Sequence, residues 1–294
     1  MASVAVVGLG LMGSAFATTL ANTGNETAAW NRSESRPTPD GVRRVATLID
    51  ALKSSELTIV ILADYTASTA LFTQPDVVAG ISGNTVVNLS TGTPEESRAF
   101  GELIHSHGGL FLSGSIPAYP VEIGQPDTGL IIAGEESLWE AHQETFKQLG
   151  PQSWWSGSDL GSTNALDLAL VGGFYHSALG AFLEALAYAN SEGVSTADVR
   201  RVAHGMADLL HHSIDIAVQQ VDAHDYQTDQ ATVDVHLAAV EMITRSMSRF
   251  AVDRTLALTS VEADLRIAQD LGHGLESISV IYEQLRNSER RPRT

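Results

Sequence analysis

Apolar and polar positions along the chain follow two regimes. Through the first half, short β-rich apolar runs recur: SVAVVGLG (3–10), ETAAWN (26–31), LTIVILAD (57–64), NTVVNLST (84–91), GLFLSGS (109–115) and GLIIAGE (129–135). Each is bounded by Gly, Asn, Asp or Ser, as strands are. Runs that are apolar nearly throughout predict a mainly parallel sheet covered on both faces, with helices between the strands. From Ser162 onward no comparable strand occurs. STNALDLALVGGFYHSALGAFLEALAYAN (162–190) repeats its apolar positions at helical spacing and is long enough to be one interdomain helix. SEGVSTADVRRVAHGMADLLHH (191–212) then supplies a stop at Gly193 and a capping box from Ser195 to Asp198. Helical segments continue through Leu285, and the tail NSERRPRT (287–294) is expected to be mobile. The predicted architecture is an α/β domain over residues 1–160 followed by an all-α domain over 161–294, changing at SGSDLGS (156–162).

Composition narrows the partners. With 294 residues, 44% hydrophobic and 18% charged, the chain can bury a sizeable core in two domains. A net charge of −18 repels nucleic-acid phosphates and anionic lipid heads. No run of 18 apolar residues predicts a membrane span, and the apolar N-terminus lacks the basic segment of a secretory signal. The absence of cysteine excludes disulfides and thiolate metal sites. The expectation is a cytoplasmic protein acting on small molecules.

The N-terminus carries the first specific chemistry. In VAVVGLGLMGSAFATTL, Gly8, Gly10 and Gly13 form G-x-G-x-x-G between a predicted strand and helix. Gly8 permits a tight turn, Gly10 lets a pyrophosphate approach the backbone, and Gly13 allows close helix packing. Leu11 and Met12 open the helix, whose free N–H groups and dipole face phosphates. A purely structural glycine turn is the competing reading. At the end of the second strand an NAD site places an acid, but here the string is AWNRSESR. Asn31 stands in for the acid, Arg32 can stack on adenine and pair with a 2′-phosphate, Ser33 can hydrogen-bond it, and Arg36 adds charge. That pattern favours NADPH, although two arginines solvating a loop would read the same.

GLGLMG, AWNRSESR, VNLSTGTPEE and LDLALVGGFYHSALGAFLEALAYANSEGVS together resemble the NADPH-dependent imine reductases, within the β-hydroxyacid dehydrogenase superfamily. The resemblance covers nearly the whole chain. It implies a Rossmann domain, a long interdomain helix, an all-helical domain like that of 6-phosphogluconate dehydrogenase, and a helix-exchanged homodimer. In that arrangement one chain's cofactor domain meets its partner's helices. It also places cofactor contacts at Leu62, Ala63, Thr91 and Ala118. Some reductive aminases carry Asn where Thr91 stands, so competence to couple an amine is left open. The superfamily's hydroxy-acid enzymes carry a lysine acid/base on the interdomain helix, whereas this chain has no lysine after Lys147. Their donor-rich Ser-Gly-Gly loop is replaced by LSGSIPAYPVEIG, in which Ile116, Pro117, Ala118 and Tyr119 suit an uncharged or cationic, largely apolar substrate.

Asp167 interrupts the apolar helix. At about 100° per residue it shares a side with Leu170, Val171, Phe174, Ala178 and Phe182, with Tyr175 at the flank. A charge there is costly unless a cation opposes it, and an iminium substrate is such a cation. The resemblance gives Asp167 the catalytic role of protonating or stabilising the imine nitrogen, and Tyr175 that of bonding the nitrogen or orienting the acid. An idle acid favoured by the helix dipole and a packed tyrosine are the structural alternatives. His176, His211, His212, His224 and His236 read as surface or interface residues without zinc spacing, and Trp154 and Trp155 as packing at the close of the first domain. The implied reaction is NADPH-dependent reduction of a cyclic imine. Its rivals are a hydroxy-acid or aldehyde dehydrogenase and a noncatalytic NADPH-binding protein.

Overall fold

The computed structural model describes residues 2–250 and 255–288, and residues 289–294 of the charged tail lie outside the described residues. Two compact units are present, one ending at Phe174 and the other beginning at Tyr175.

In the first unit β1 (Ser3–Val7), α1 (Leu11–Asn22), β2 (Glu26–Trp30), β3 (Arg43–Arg44), α2 (Leu48–Lys53), β4 (Leu57–Val60), α3 (Tyr65–Phe72), α4 (Pro75–Val78), β5 (Thr85–Asn88) and α5 (Pro94–Ser106) follow in order. Then come β6 (Leu110–Ser115), β7 (Ile131–Gly134), α6 (Glu136–Leu149) and β8 (Trp154–Trp155). The strands form one sheet ordered β3-β2-β1-β4-β5-β6-β7-β8, parallel except where β6 meets β7. The predicted strands read as apolar throughout because both faces are covered. Val4 and Val6 pack with Phe16, Leu20 and Phe146, whereas Ala5 and Val7 pack with Leu52, Tyr65 and Phe72. Phe100 joins the second layer through edge-on contacts to Tyr65, Phe72 and Phe111 at 5.3–5.8 Å. Strands β3 and β8 escape the hydrophobic pattern because each is two residues long and lies at a sheet edge. Of the tryptophans expected to pack there, Trp154 is 49% exposed, while the Trp155 indole N–H donates to the Gly134 carbonyl at 3.0 Å.

The helical run 162–191 is continuous in sequence but not in geometry. It comprises α7 (Ser162–Leu166), a π-helical stretch Asp167–Phe174, and α8 (Tyr175–Ser191). Within the π stretch hydrogen bonds reach back five residues instead of four, so the 100° phase assumed for the face shared by Asp167 and Phe182 does not carry through it. Gly172 and Gly173 sit over the carbonyls of Asp167 and Leu168, where a Cβ on Gly173 would approach to 3.3 Å. Their missing side chains ease the wider coil. By packing, the first unit continues past 160 to Phe174 because Thr163 and Asn164 are buried and hydrogen-bonded to the sheet and its loops.

The second unit contains α8, α9 (Thr196–Ala223), α10 (Val233–Ser248), α11 (Leu258–Asp270) and α12 (Ile281–Ser288). Ser195 caps α9, its hydroxyl accepting the Asp198 N–H at 3.2 Å. The core is small, built on Tyr226, Val233, Leu237, Leu265, Ala268 and Val280. Neither α8 nor α9 contains a buried residue, and Leu183, Met206 and Leu209 are each more than half exposed. By length and composition alone Ser162–Ser191 is apolar enough to cross a bilayer, a property that core helices of soluble proteins share. Asp167 and Glu184 interrupt its apolar residues.

Candidate active site

The turn between β1 and α1 is built by its glycines. Gly8 adopts φ +104°, and a Cβ there would collide with the Ile61 carbonyl oxygen. A Cβ on Gly13 would strike the Gly8 carbonyl, so helix and turn touch backbone to backbone. Gly10 is different: nothing lies within 4 Å of a Cβ built on it, so this flank is open. Gly10 is the N-cap of α1 and offers no side-chain cap, and the first helical bond runs from Ser14 N–H to the Gly10 carbonyl at 2.9 Å. The N–H groups of Leu11, Met12 and Gly13 are therefore left for an anion, and the donor set fits a dinucleotide pyrophosphate. Leu11 itself projects outward, 80% exposed.

Asn31 does more than replace an acid. Its Oδ1 accepts the Leu9 N–H at 2.9 Å and its Nδ2 donates to the Ser33 carbonyl at 3.0 Å, tying the glycine turn to the following loop. A carboxylate would accept the first bond but lacks the donor for the second. Ser33 Oγ lies 2.8 Å from Ser35 Oγ. Arg32 and Arg36 are exposed, and neither side chain has a hydrogen-bond or ion-pair partner among the described residues. Two free guanidinium groups beside a loop without a committed carboxylate fit a 2′-phosphate.

At the carboxyl ends of the strands, where α/β sheets bind ligands, a cavity of about 210 Å³ opens within the first unit. Met12 from α1, Leu62 after β4, Thr91 after β5, Ser115 at the end of β6, Asn164 on α7 and Asp167 all line it. Asp167 is half-buried, and the Ser115 hydroxyl donates to its Oδ1 at 2.5 Å. Among the described residues no cation pairs with it, and no protein donor reaches Oδ2. Asn164 donates to the Gly92 carbonyl at 3.0 Å and accepts from Ser113 Oγ at 3.0 Å. Behind it a buried hydroxyl cluster links Ser113 to Thr163 at 2.7 Å, to Ser97 at 2.8 Å, and Ser97 to Tyr65 at 3.1 Å. Burial pushes the Tyr65 phenol up, so it stays a neutral member of that cluster.

Of the residues expected from sequence, Met12, Leu62, Thr91 and Asp167 converge on the cavity. Ala63 is exposed beyond β4. Ala118 packs against the core around α1 and is not among the lining residues, because the chain turns away after Ile116. Tyr175 opens the second unit, 40% exposed, with its ring edge-on to His176 at 5.4 Å. Ser90, Ser115 and Asn164 line the cavity without having been singled out. Their signal was available: Ser90 and Ser115 are hydroxyls at strand carboxyl ends, and Asn164 precedes Asp167 by three residues.

Residues 159–287 match the family model of the NADPH-dependent reductive aminase-like C-terminal domain, and residues 3–157 that of the NAD binding domain of 6-phosphogluconate dehydrogenase. The NADPH-dependent reductive aminase of Aspergillus oryzae is 30% identical over 292 residues, covering 95% of this chain and 96% of its own. The chain belongs to the NADPH-dependent reductive aminase family. Its fold agrees with that of solved relatives. An imine reductase from Pseudomonas sp. matches with TM-score 0.90 at 31% identity, over 97% of this chain and 99% of its own. A reductive aminase from Aspergillus terreus, in complex with NADPH4, cyclohexanone and allyl amine, matches with TM-score 0.86 at 26% identity, over 97% and 99%. As a member of the reductive aminase family the protein is an NADPH-dependent oxidoreductase acting on C=N bonds.

Proposed function

We propose that Asp167 is the group that serves the substrate nitrogen in reduction of a small, largely apolar imine, most naturally a cyclic one. One observation carries this reading: a carboxylate lines the cavity with Oδ1 held by the Ser115 hydroxyl, Oδ2 without a protein donor and no protein cation beside it. When bound, NADPH supplies the hydride that reduces the C=N carbon. The N-terminus of α1 would hold its pyrophosphate and Arg32, Ser33 and Arg36 its 2′-phosphate, with Met12, Leu62 and Thr91 lining the cavity where the reaction would take place. Asp167 Oδ2 would face the nitrogen and favour its protonated, iminium form, whose positive charge is neutralised as hydride reaches carbon; the proton comes from solvent or from the Asp167 carboxyl itself. Ile116 and Leu89 keep the wall apolar, which strengthens that attraction.

The decisive assay is NADPH consumption with a cyclic imine such as a methylpyrroline. Asp167→Ala is expected to lower turnover by about 10²–10⁴ with NADPH affinity near normal. Undiminished turnover in that variant would sink the assignment. Cyclohexanone with allyl amine tests in the same format whether Thr91 supports amine coupling.

We further propose a cytoplasmic homodimer, in keeping with a cysteine-free chain. The support is the unburied α8 and α9, on which Leu179, Leu183, Met206, Leu209 and Leu210 all stand exposed. Sedimentation at twice the chain mass is expected, and a monomer at micromolar concentration would refute the pairing.

A further inference from the structure

The loop after β2 is held from behind by a residue with no assigned role. Arg44, half-buried on the edge strand β3, directs its guanidinium into the loop's concave side. Nη2 donates to the carbonyls of Asn31 at 3.1 Å and Ser33 at 3.0 Å. Nη1 donates to the Arg36 carbonyl at 2.9 Å, with Thr38 Oγ1 at 3.4 Å. The Ser33 carbonyl also receives Asn31 Nδ2 at 3.0 Å and the Arg36 N–H at 3.3 Å. One side chain thus gathers three carbonyl oxygens, which otherwise would face an incoming anion.

The consequence lies on the opposite side of the loop. A trans peptide points its C=O and N–H in opposite directions, and no cis bond occurs among the described residues. Drawing the Asn31 and Ser33 carbonyls onto Arg44 therefore turns the N–H groups of Arg32 and Glu34 away from it. No hydrogen bond among the described residues uses either N–H. They lie on the loop that carries the free Arg32 side chain, so carbonyl dipoles are withdrawn where N–H dipoles are offered.

We propose that Arg44 is a positioning residue for cofactor selection: it fixes residues 31–36 in the shape that accepts a 2′-phosphorylated adenosine. This rests on the assignment of that loop to the 2′-phosphate. Arg44 does not itself meet the phosphate. Its planar fork spans several carbonyls, which the compact ammonium of lysine does not reproduce. The neighbouring Arg43 is exposed on the same strand and adds the same charge without gathering the loop.

Equilibrium titration of NADPH and NADH by calorimetry, with no substrate present, separates these contributions. Arg44→Ala is expected to raise the NADPH Kd about tenfold, equivalent to about 1.4 kcal/mol, and to leave the NADH Kd within about twofold. Arg44→Lys recovers part of the loss, and Arg43→Ala changes NADPH affinity by less than about threefold, the scale of an exposed charge. Equal losses for both cofactors, or equal effects of Arg43→Ala and Arg44→Ala, would overturn the proposal. Arg32→Ala, run in parallel, tells the two levels apart. If it loses NADPH selectively while Arg44→Ala is silent, the loop assignment stands and the positioning role falls. If neither variant discriminates between the cofactors, both fall together.

Discussion

Ser115→Ala isolates the contact that aims the carboxylate proposed to serve the substrate nitrogen. The substitution deletes one oxygen from a buried position, so packing is nearly unchanged while Asp167 Oδ1 loses the hydroxyl donor at 2.5 Å. A bond that short to a carboxylate belongs to the charge-assisted class, which contributes roughly 1.5–3 kcal/mol. If that energy orients Oδ2 toward the nitrogen in the transition state, its loss appears in turnover. At 1.36 kcal/mol per tenfold, kcat is expected to fall roughly 10- to 150-fold. NADPH affinity should hold, because Ser115 touches neither the glycine turn nor the 31–36 loop. The assay is initial-rate NADPH consumption on a cyclic imine for Ser115→Ala, Asp167→Ala and the double variant. Residues that act through one another are not additive, so Ser115→Ala should cost almost nothing in the Asp167→Ala background. A full additional loss there, or a single variant within about twofold of the parent, would refute the orienting role.

Three other substitutions test the structure. Gly10→Ala enters open space and should leave the melting temperature of the cofactor-free protein unchanged while raising the NADPH Kd at least about tenfold. Gly13→Ala drives a Cβ into the Gly8 carbonyl and should lower the melting temperature by an amount equivalent to about 1–3 kcal/mol; identical behaviour of the two would contradict the geometry of the turn. At the base of α7, the Arg98 guanidinium holds the Asp159 carboxyl down to about 2, helped by the Gly161 N–H. A depressed carboxyl stabilises the fold above its unfolded value near 4 and loses that contribution as pH falls toward 2. Asp159→Asn should therefore narrow its stability gap from the parent between about pH 4 and 2 in acid unfolding monitored by circular dichroism, and a gap constant over that range would exclude the pair as the cause.

What could be foreseen and what could not divide along the range of the interactions. The glycine turn is a local object, since Gly8, Gly10 and Gly13 meet one another within a single turn of chain, and its string is sufficient to recognise it. The strands are equally legible because burial on both faces leaves runs such as SVAVV with no polar alternation. Asp167 stands out as the lone acid of residues 162–183. Its surroundings do not, because Ser115 lies 52 residues away in sequence and reaches it only through the ordering of β6 beside α7. The π-helical stretch was hidden for a different reason: shifting hydrogen bonds from four residues to five leaves the apolar composition untouched, and the paired glycines at 172 and 173 are its only trace. Arg44 escaped because its partners are backbone carbonyls, which every residue carries.

With Asp167 in the role proposed for it, the absence of a protein cation beside it bears on the end of the catalytic cycle as well as its middle. Hydride transfer leaves the amine neutral, but a secondary amine takes up a proton near neutral pH and then carries the same charge as the iminium it came from. A carboxylate whose opposing charge comes from the ligand alone attracts both, and binding shared by reactant and product does not speed the reaction. Departure of the amine then becomes a candidate for the slow step, and accumulating product should compete with imine for the cavity. A preparative reaction run to high conversion would feel this as progressive slowing, relieved by continuous amine removal.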